Sequence, residues 1–128
     1  MTLFCEQVPY RRLAEEFGTP LYVYSQSTLT EAFEHYQTAF AELSPLVCYA
    51  VKANGNLSII KHFASLGSGF DIVSGGELAR VLAAGGDAAK TIFSGVGKSE
   101  AEIEFALNAG LKCFNMESIP EIDRIQKV

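Results

Sequence analysis

Four short runs rich in apolar, β-branched and aromatic residues recur along the last two thirds of the chain. They cover residues 46–51, 70–74, 91–95 and 112–116. Each run is followed by about ten residues with helical periodicity. Similar places at the ends of the runs are occupied by Lys52, Ser74, Gly95 and Glu117, which are 22, 21 and 22 residues apart. Short apolar strands that alternate with helices at this spacing predict βα units that build a parallel sheet.

The expected helix boundaries agree with this spacing. Three of the runs are followed by the pattern Ser-x-x-Glu, at residues 74–77, 99–102 and 118–121, which is typical of a capping box at a helix N-terminus. Glycines follow the apolar helical stretches at 67, 85 and 110, where a left-handed residue usually ends a helix. The sequence therefore predicts where these helices begin and end.

The N-terminal part follows a different pattern. Leu29, Phe33, Tyr36, Phe40 and Leu43 form an apolar stripe with helical spacing. Before this stripe, residues 9–17 predict a short helix that ends at Gly18, and residues 21–24 predict a strand after Thr19-Pro20. We expect two parts: residues 1–25, an N-terminal segment with a strand, and residues 26–128, which carry four βα units.

An open doubly wound sheet and a (β/α)₈ barrel both contain such units. The near-constant period, together with the absence of a GxGxxG motif after the first strand, favours the barrel. A complete barrel needs about 250 residues, whereas this chain has 128. The final residues also lie within an apolar periodic segment that has no helix-stop signal. We therefore expect an α/β chain that forms the first half of a TIM barrel within a longer protein.

Composition narrows the class of protein. No apolar stretch approaches the roughly 20 residues that span a bilayer, and the first residues do not resemble a signal peptide. The net charge of −5, without a basic cluster, argues against nucleic acid or a membrane as the partner. Cys5, Cys48 and Cys113 are widely spaced, and the last two lie within apolar runs, which favours free, buried thiols in a cytoplasmic protein. With only two histidines, no metal site is expected.

Lys52 is the first candidate for chemistry. It follows the first predicted strand, and strand alternation would direct Cys48, Ala50 and Lys52 to one face. Reactive residues of parallel barrels gather at the carboxyl ends of the strands. Inside the barrel mouth, a partly desolvated amine would be available for Schiff-base formation. The alternative is a solvated lysine that ends a strand.

Asp71 lies within the second predicted strand, between Phe70 and Ile72. A carboxylate in an apolar parallel strand usually has a partner. If Asp71 faces the barrel interior, Lys52 on the neighbouring strand is one such partner. A structural aspartate bonded to a backbone amide or to a lysine elsewhere is the alternative.

Two glycine-containing turns are weaker candidates. Ser74-Gly75-Gly76-Glu77 would let a ligand approach a helix N-terminus, although a capping box also explains Ser74 and Glu77. Residues 94–99 lack the spacing of a nucleotide-binding P-loop. Lys98 in that loop would face either the site or, as the simpler interpretation, the solvent.

Five segments together resemble one family. YAVKAN at 49–54 resembles the cofactor-lysine motif of the superfamily of pyridoxal-phosphate (PLP) enzymes that contains alanine racemases and ornithine decarboxylases. Within that superfamily, four further segments resemble diaminopimelate decarboxylases: GTPLYVY at 18–24, GFDIVSGGEL at 69–78, FSGVGKS at 93–99 and CFNMES at 113–118. Val96 departs from the common form, which has Asn at that position. The resemblance covers nearly the whole chain.

The resemblance implies a PLP-binding barrel, a second β-rich domain that this chain lacks, and a homodimer. It implies that Lys52 holds PLP, that Asp71 lies beside the cofactor, and that Ala50, Ser74 and Glu77 help to bind it. Asn54 and Lys98 would line the substrate pocket. The implied reaction is decarboxylation of an amino acid, meso-2,6-diaminopimelate, to L-lysine. We expect these 128 residues alone to be inactive.

Other functions are compatible with parts of the pattern. The lysine motif alone also fits another PLP-dependent decarboxylase or a racemase of the same superfamily. A non-catalytic PLP-carrier barrel is a single-domain alternative, and a truncated chain used only for interaction is another. A racemase more often continues the lysine motif with Tyr-Gly-His, whereas this chain has Gly55-Asn56-Leu57.

Overall fold

The four apolar runs form one parallel sheet in a computed structural model that describes residues 3–128. Its strands lie side by side in chain order. They are β3 (Cys48–Ala50), β4 (Gly69–Ile72), β5 (Thr91–Phe93) and β6 (Cys113–Phe114). The order confirms the predicted βα repeat, because each strand pairs with the strand of the next unit.

Each of these strands is followed by a helix. The helices are α3 (Leu57–Ser65), α4 (Gly75–Ala83), α5 (Glu100–Asn108) and α6 (Ile119–Lys127). The predicted glycines end α3, α4 and α5: Gly67, Gly85 and Gly110 have φ values of 82°, 83° and 75°. These left-handed conformations confirm the predicted helix ends.

The two faces of the sheet differ in polarity. Phe70, Ile72 and Phe93 are fully buried, as are Leu78 and Val81 of α4. On the same face, the ring of Tyr49 in β3 stacks on that of Phe63 in α3, with 4.3 Å between centroids. One face of the sheet therefore forms the core with the helices.

The other face carries the residues that alternate with this core. The parallel register aligns Ala50 with Asp71, Asp71 with Ile92, and Ile92 with Cys113. Because registered neighbours point to the same side of a sheet, these four side chains form a row. The row includes the one charged residue of the four strands.

The helix N-termini do not all form the predicted capping box. Ser99 and Glu102 form a complete box at α5. At α4, Ser74 accepts from the Glu77 amide, but the Glu77 carboxylate accepts from Val73 N. At α6, the Ser118 side chain makes no capping bond. The predicted box is therefore complete only at α5 and is wrong for α4 and α6, because there the glutamate accepts from the amide one residue before the serine.

The chain divides into two compact units, Met1–Glu42 and Leu43–Val128. The described part of the first unit contains a small hairpin of β1 (Phe4–Cys5) and β2 (Val8–Pro9), which the sequence did not predict. Helix α1 (Tyr10–Phe17) ends before Gly18, as predicted. Helix α2 (Gln26–Ala39) follows. Within residues 3–128, no helix has the length and apolar character needed to cross a membrane.

Two predictions for residues 21–43 are wrong. Residues 21–24 form no strand, because no neighbouring strand within the described residues pairs with them. The apolar stripe also extends beyond α2, since Leu43 lies in a 3₁₀ turn (Ala41–Leu43) and is 77% exposed. Among the stripe residues only Phe33 is buried.

Close packing around Gly69 gives the first testable prediction. A Cβ at Gly69 would lie 2.5 Å from the Lys90 carbonyl oxygen and 2.6 Å from Cys48 Sγ. We expect Gly69→Ala to lower the free energy of unfolding by about 1–3 kcal/mol because the strands would have to separate. Urea unfolding followed by circular dichroism measures this.

The matched control is Gly76→Ala in the first turn of α4. A Cβ there would meet Ser74 Oγ at 3.8 Å, which is an ordinary contact. Alanine also favours the helix by about 0.5–1 kcal/mol, so this variant should be as stable as the wild type or more stable. Equal losses in the two variants would contradict the packing argument.

Candidate active site

Lys52 lies just beyond the carboxyl end of β3. The strand ends at Ala50, and residues Val51–Ala53 form a 3₁₀ turn. The expected strand alternation therefore stops two residues before Lys52, because the backbone leaves the extended conformation. Val51 is buried and Lys52 is exposed. The residues of this chain thus do not supply the desolvation that the sequence predicted for the amine.

The segment after Lys52 is held in place by hydrogen bonds. The Tyr49 hydroxyl donates to the Asn54 carbonyl oxygen at 3.1 Å. The side-chain oxygen of Asn54 accepts from Asn56 N at 3.0 Å, and that of Asn56 accepts from Ser58 N at 2.9 Å, which caps α3. Asn54, predicted to line the substrate pocket, is therefore used in the turn that follows Lys52.

Asp71 faces the same side of the sheet as Ala50, its registered neighbour on β3. Its partner is Ser94, which follows β5, and the Ser94 hydroxyl donates to Asp71 Oδ1 at 2.5 Å. The side-chain amide of Asn115, which follows β6, donates to Ser94 Oγ at 2.9 Å. In the described part of the chain, Lys52 and Asp71 form no ion pair.

Sequence reasoning missed Ser94 and Asn115. Ser94 stands two residues after Ile92, and Asn115 two residues after Cys113, so period-2 alternation places both in the row that contains Asp71. That signal was present in the sequence. Reading it required the register between strands, because only the register shows that these positions meet Asp71.

Lys98 is buried and bonded on several sides. It is 2% exposed, and its ammonium donates to the carbonyl oxygens of Gly95 and Asn115, each at 2.8 Å. It also forms an ion pair with buried Glu121 at 3.1 Å. The expectation that Lys98 faces the solvent is therefore wrong, and its place in the substrate pocket stays a prediction. A buried ammonium requires such partners.

The Glu121 carboxylate joins three elements. It accepts from the Glu117 amide at 2.9 Å and from Lys98. The Glu117 amide holds the pKa of Glu121 below its ordinary value, with further help from Lys98, although burial acts in the opposite direction. Arg124 of α6 donates to the Lys98 carbonyl oxygen at 2.8 Å. These contacts lock the loop after β5 to the start of α6.

The Ser74–Glu77 segment caps its own helix. Both residues bind backbone amides at the start of α4. The Gly75 amide donates to Glu102 Oε1 of α5 at 2.8 Å, and this bond is the main cause of the lowered pKa of Glu102. The described contacts of Ser74 and Glu77 are therefore those of helix capping.

Comparisons with known proteins show the family of the chain. Residues 26–128 match the model of the family "Pyridoxal-dependent decarboxylase, pyridoxal binding domain". The chain belongs to this family. The family binds pyridoxal phosphate, which confirms the cofactor predicted for the chain.

The curated relatives that this chain matches are much longer than the chain. A diaminopimelate decarboxylase of Neisseria meningitidis serogroup A is 97% identical over 128 residues, which are all of this chain and 32% of that protein. One of Vibrio cholerae is 56% identical over 98% of this chain and 30% of its own length. The chain thus spans about a third of the length of the curated relatives it matches.

Solved structures confirm the fold. A crystal structure of diaminopimelate decarboxylase from M. jannaschii, in complex with L-lysine, matches 98% of this chain and 30% of its own chain. The TM-score is 0.95 and the sequence identity is 36%. The parallel βα units of this chain are therefore the N-terminal part of a PLP-binding decarboxylase barrel: the period predicted the barrel, and the resemblance implied that it binds PLP.

The buried ion pair gives the second prediction. Lys98→Met would leave the Glu121 carboxylate buried without its cation, and we expect a loss of about 3 kcal/mol in the free energy of unfolding. Lys127→Met is the matched control, because Lys127 and Glu100 form an ion pair at 2.9 Å in which both side chains are exposed. Removal of that cation should change stability little. Urea unfolding of both variants compares them, and equal losses would contradict a special role for the buried pair.

The lowered pKa of Glu121 gives the third prediction. Since its pKa is lower in the folded protein, the unfolded chain binds protons first as pH falls. The stability from Glu121 should be complete above about pH 4.3 and disappear as pH falls through the folded pKa. The difference in stability between the wild type and Glu121→Gln should therefore close as pH falls through the pKa of Glu121 in the folded protein, which lies below its ordinary value.

Urea unfolding at a series of pH values measures this gap. Glu104→Gln is the control, because Glu104 is an exposed glutamate on α5. A gap for Glu121→Gln that stays constant from neutral to acidic pH would contradict the assignment.

Proposed function

We propose that this chain is the cofactor-binding first part of a PLP-dependent decarboxylase that converts meso-2,6-diaminopimelate to L-lysine. The observation that carries the proposal is the position of Lys52 and Asp71 at the carboxyl ends of adjacent parallel strands. The 97% identity to a diaminopimelate decarboxylase supports the choice of substrate. So does the L-lysine bound to the structure from M. jannaschii.

The residues present fit the carbonyl end of the cofactor. Lys52 offers an exposed primary amine, which is the group that condenses with an aldehyde. Ala50, two residues earlier, has a small side chain on the face that Asp71 shares, so it leaves room above the sheet. Asp71 offers a carboxylate beside this space. The carbonyl end of the cofactor requires an amine, a carboxylate and open space, and these three residues offer them together.

In this proposal each residue has a separate role. Lys52 would hold the cofactor through its exposed primary amine. Asp71 stabilises positive charge on the nitrogen at this position. Ala50 borders the site without a polar contact. When bound, PLP supplies an electron sink for the electron pair released as CO₂ leaves.

Other parts of the site would come from the rest of a full-length protein. The resemblance assigns the histidine against the ring, the acid at the ring nitrogen and the partner subunit's cysteine to residues outside these 128. We therefore propose a homodimeric holoenzyme and an inactive 128-residue fragment. The family match begins at residue 26, which supports a barrel domain over 26–128. The three free cysteines are consistent with a cytoplasmic location.

Reductive labelling tests the proposal. The full-length protein that carries these residues is mixed with PLP, reduced with borohydride and mapped by peptide mass. We expect one pyridoxyl adduct, on Lys52. Lys52→Arg keeps the charge but lacks the primary amine, so it should lose the adduct and release CO₂ from meso-2,6-diaminopimelate at least about a thousandfold more slowly.

Lys61→Arg is the matched control, because Lys61 is an exposed lysine on α3. It should keep both the adduct on Lys52 and the formation of L-lysine. Adducts spread over Lys61, Lys90 and Lys112 with no preference for Lys52 would contradict the proposed role of Lys52. Labelling of Lys52 without L-lysine formation would instead contradict the proposed substrate.

A further inference from the structure

We propose that Ser94 and Asn115 are positioning residues that hold the Asp71 carboxylate for its work beside Lys52. Asn115 orients the Ser94 hydroxyl, and Ser94 in turn holds one oxygen of Asp71. This inference rests on the proposed function, because it assigns a role to Asp71 only where Lys52 carries the cofactor.

The sheet itself builds this arrangement. Asp71, Ile92 and Cys113 are registered neighbours on β4, β5 and β6. Ser94 and Asn115 follow the last two by two residues each, and their amides extend the strand ladder by one step. Ser94 N donates to the Ile72 carbonyl oxygen at 2.7 Å, and Asn115 N donates to that of Phe93 at 2.9 Å. The backbone of Ser94 and Asn115 therefore still pairs with the neighbouring strand, and their side chains lie at the edge of the sheet next to Asp71.

The direction of the hydrogen bonds follows from the chemistry of the groups. An ionised carboxylate only accepts, and the amide nitrogen of Asn115 only donates. A serine hydroxyl has one proton to give and can also accept. With Asn115 Nδ2 at 2.9 Å on one side and Asp71 Oδ1 at 2.5 Å on the other, Ser94 accepts from Asn115. The Ser94 hydroxyl therefore donates its single hydrogen bond to Asp71.

One buried cation anchors both ends of this arrangement. The Lys98 ammonium donates to the Gly95 carbonyl oxygen, directly after Ser94, and to the Asn115 carbonyl oxygen. Its charge is balanced by Glu121. The backbone of Asn115, and that of Gly95 next to Ser94, is thus bonded to a buried group. The loops after β5 and β6 cannot separate without breaking that contact.

The consequence concerns the orientation of Asp71. Within residues 3–128, the Ser94 hydroxyl is the hydrogen-bond partner found for its carboxylate. With Oδ1 held, the carboxylate cannot rotate freely, and Oδ2 remains for positive charge at the Lys52 nitrogen. Loss of the Ser94 hydroxyl would let Asp71 turn away, so a proton on that nitrogen would be less stabilised.

The experiment uses the full-length holoenzyme and two readouts. The first is the pH midpoint of the change in absorption of the bound cofactor, and the second is kcat/KM for meso-2,6-diaminopimelate. We expect Ser94→Ala to move the midpoint to lower pH by about one pH unit and to lower kcat/KM about tenfold, as loss of one charge-assisted hydrogen bond does. Ser94→Thr keeps the hydroxyl and should restore most of both.

Asn115→Leu keeps the size of the side chain but removes the donor. It should move the midpoint in the same direction by a smaller amount, and because Asn115 is exposed it also serves if Ser94→Ala does not fold. Ser58→Ala is the matched control, since Ser58 is an exposed serine on α3. A midpoint for both Ser94→Ala and Asn115→Leu that equals that of Ser58→Ala would overturn the proposal.

A double-mutant cycle tests the route through Asp71. In an Asp71→Asn background, Ser94→Ala should cause no further shift in the midpoint, because the group it positions is gone. An equal shift in both backgrounds would overturn the positioning role while the adduct on Lys52 and the proposed function still hold. Absence of an adduct on Lys52 in the wild type would overturn the proposed function and this inference with it.

Discussion

The parallel register of β3 to β6 aligns Ala50 with Asp71 and Asp71 with Ile92. Parallel strands end at a common edge, and their side chains alternate with a period of two residues. Once the register is set, every second residue beyond Asp71's neighbours must lie at that edge. The polar contacts of Asp71 are therefore consequences of strand pairing. A shift of the register by one residue would move these polar side chains to the face that the helices cover.

The same pairing explains where the buried charge can lie. Ser94 and Asn115 leave the sheet side by side, and their loops must turn towards α5 and α6 without leaving carbonyl oxygens unsatisfied in a buried place. Lys98 supplies three donors at that point, and Glu121 balances its charge. The ring of Phe93 lies 5.5 Å below the ammonium. The ion pair of Lys98 and Glu121 thus helps to join the βα units of β5 and β6.

Much of this architecture is visible in the sequence because it depends on local patterns. The apolar runs and the glycines after the helices identify βα units, and Lys52 and Asp71 stand out as polar residues in or just after apolar strands. Ser94 and Asn115 do not stand out, because each resembles an ordinary loop residue, and nothing local shows that the candidate Lys98 is buried. Their roles depend on contacts 17 to 23 residues apart, which only the register defines.

Three identical Ser-x-x-Glu motifs show the limit of local patterns. The glutamate at α5 binds its own Ser99 amide, and also the Gly75 amide of α4. Those at α4 and α6 bind the amide one residue earlier, at Val73 and Glu117. Each carboxylate has more than one amide within reach, so the neighbouring loop decides the partner.

The glutamates at the start of α4, α5 and α6 place negative charge at the carboxyl edge of the sheet. An N-terminal helix dipole attracts anions, yet α4, α5 and α6 each already hold a carboxylate at this end. A phosphate group that approached these helices would meet negative charge as well as amides that are already bonded. The N-termini of α4, α5 and α6 are therefore poorly suited to a phosphate group. Among α3 to α6, only α3 begins without an acidic residue in its first turn.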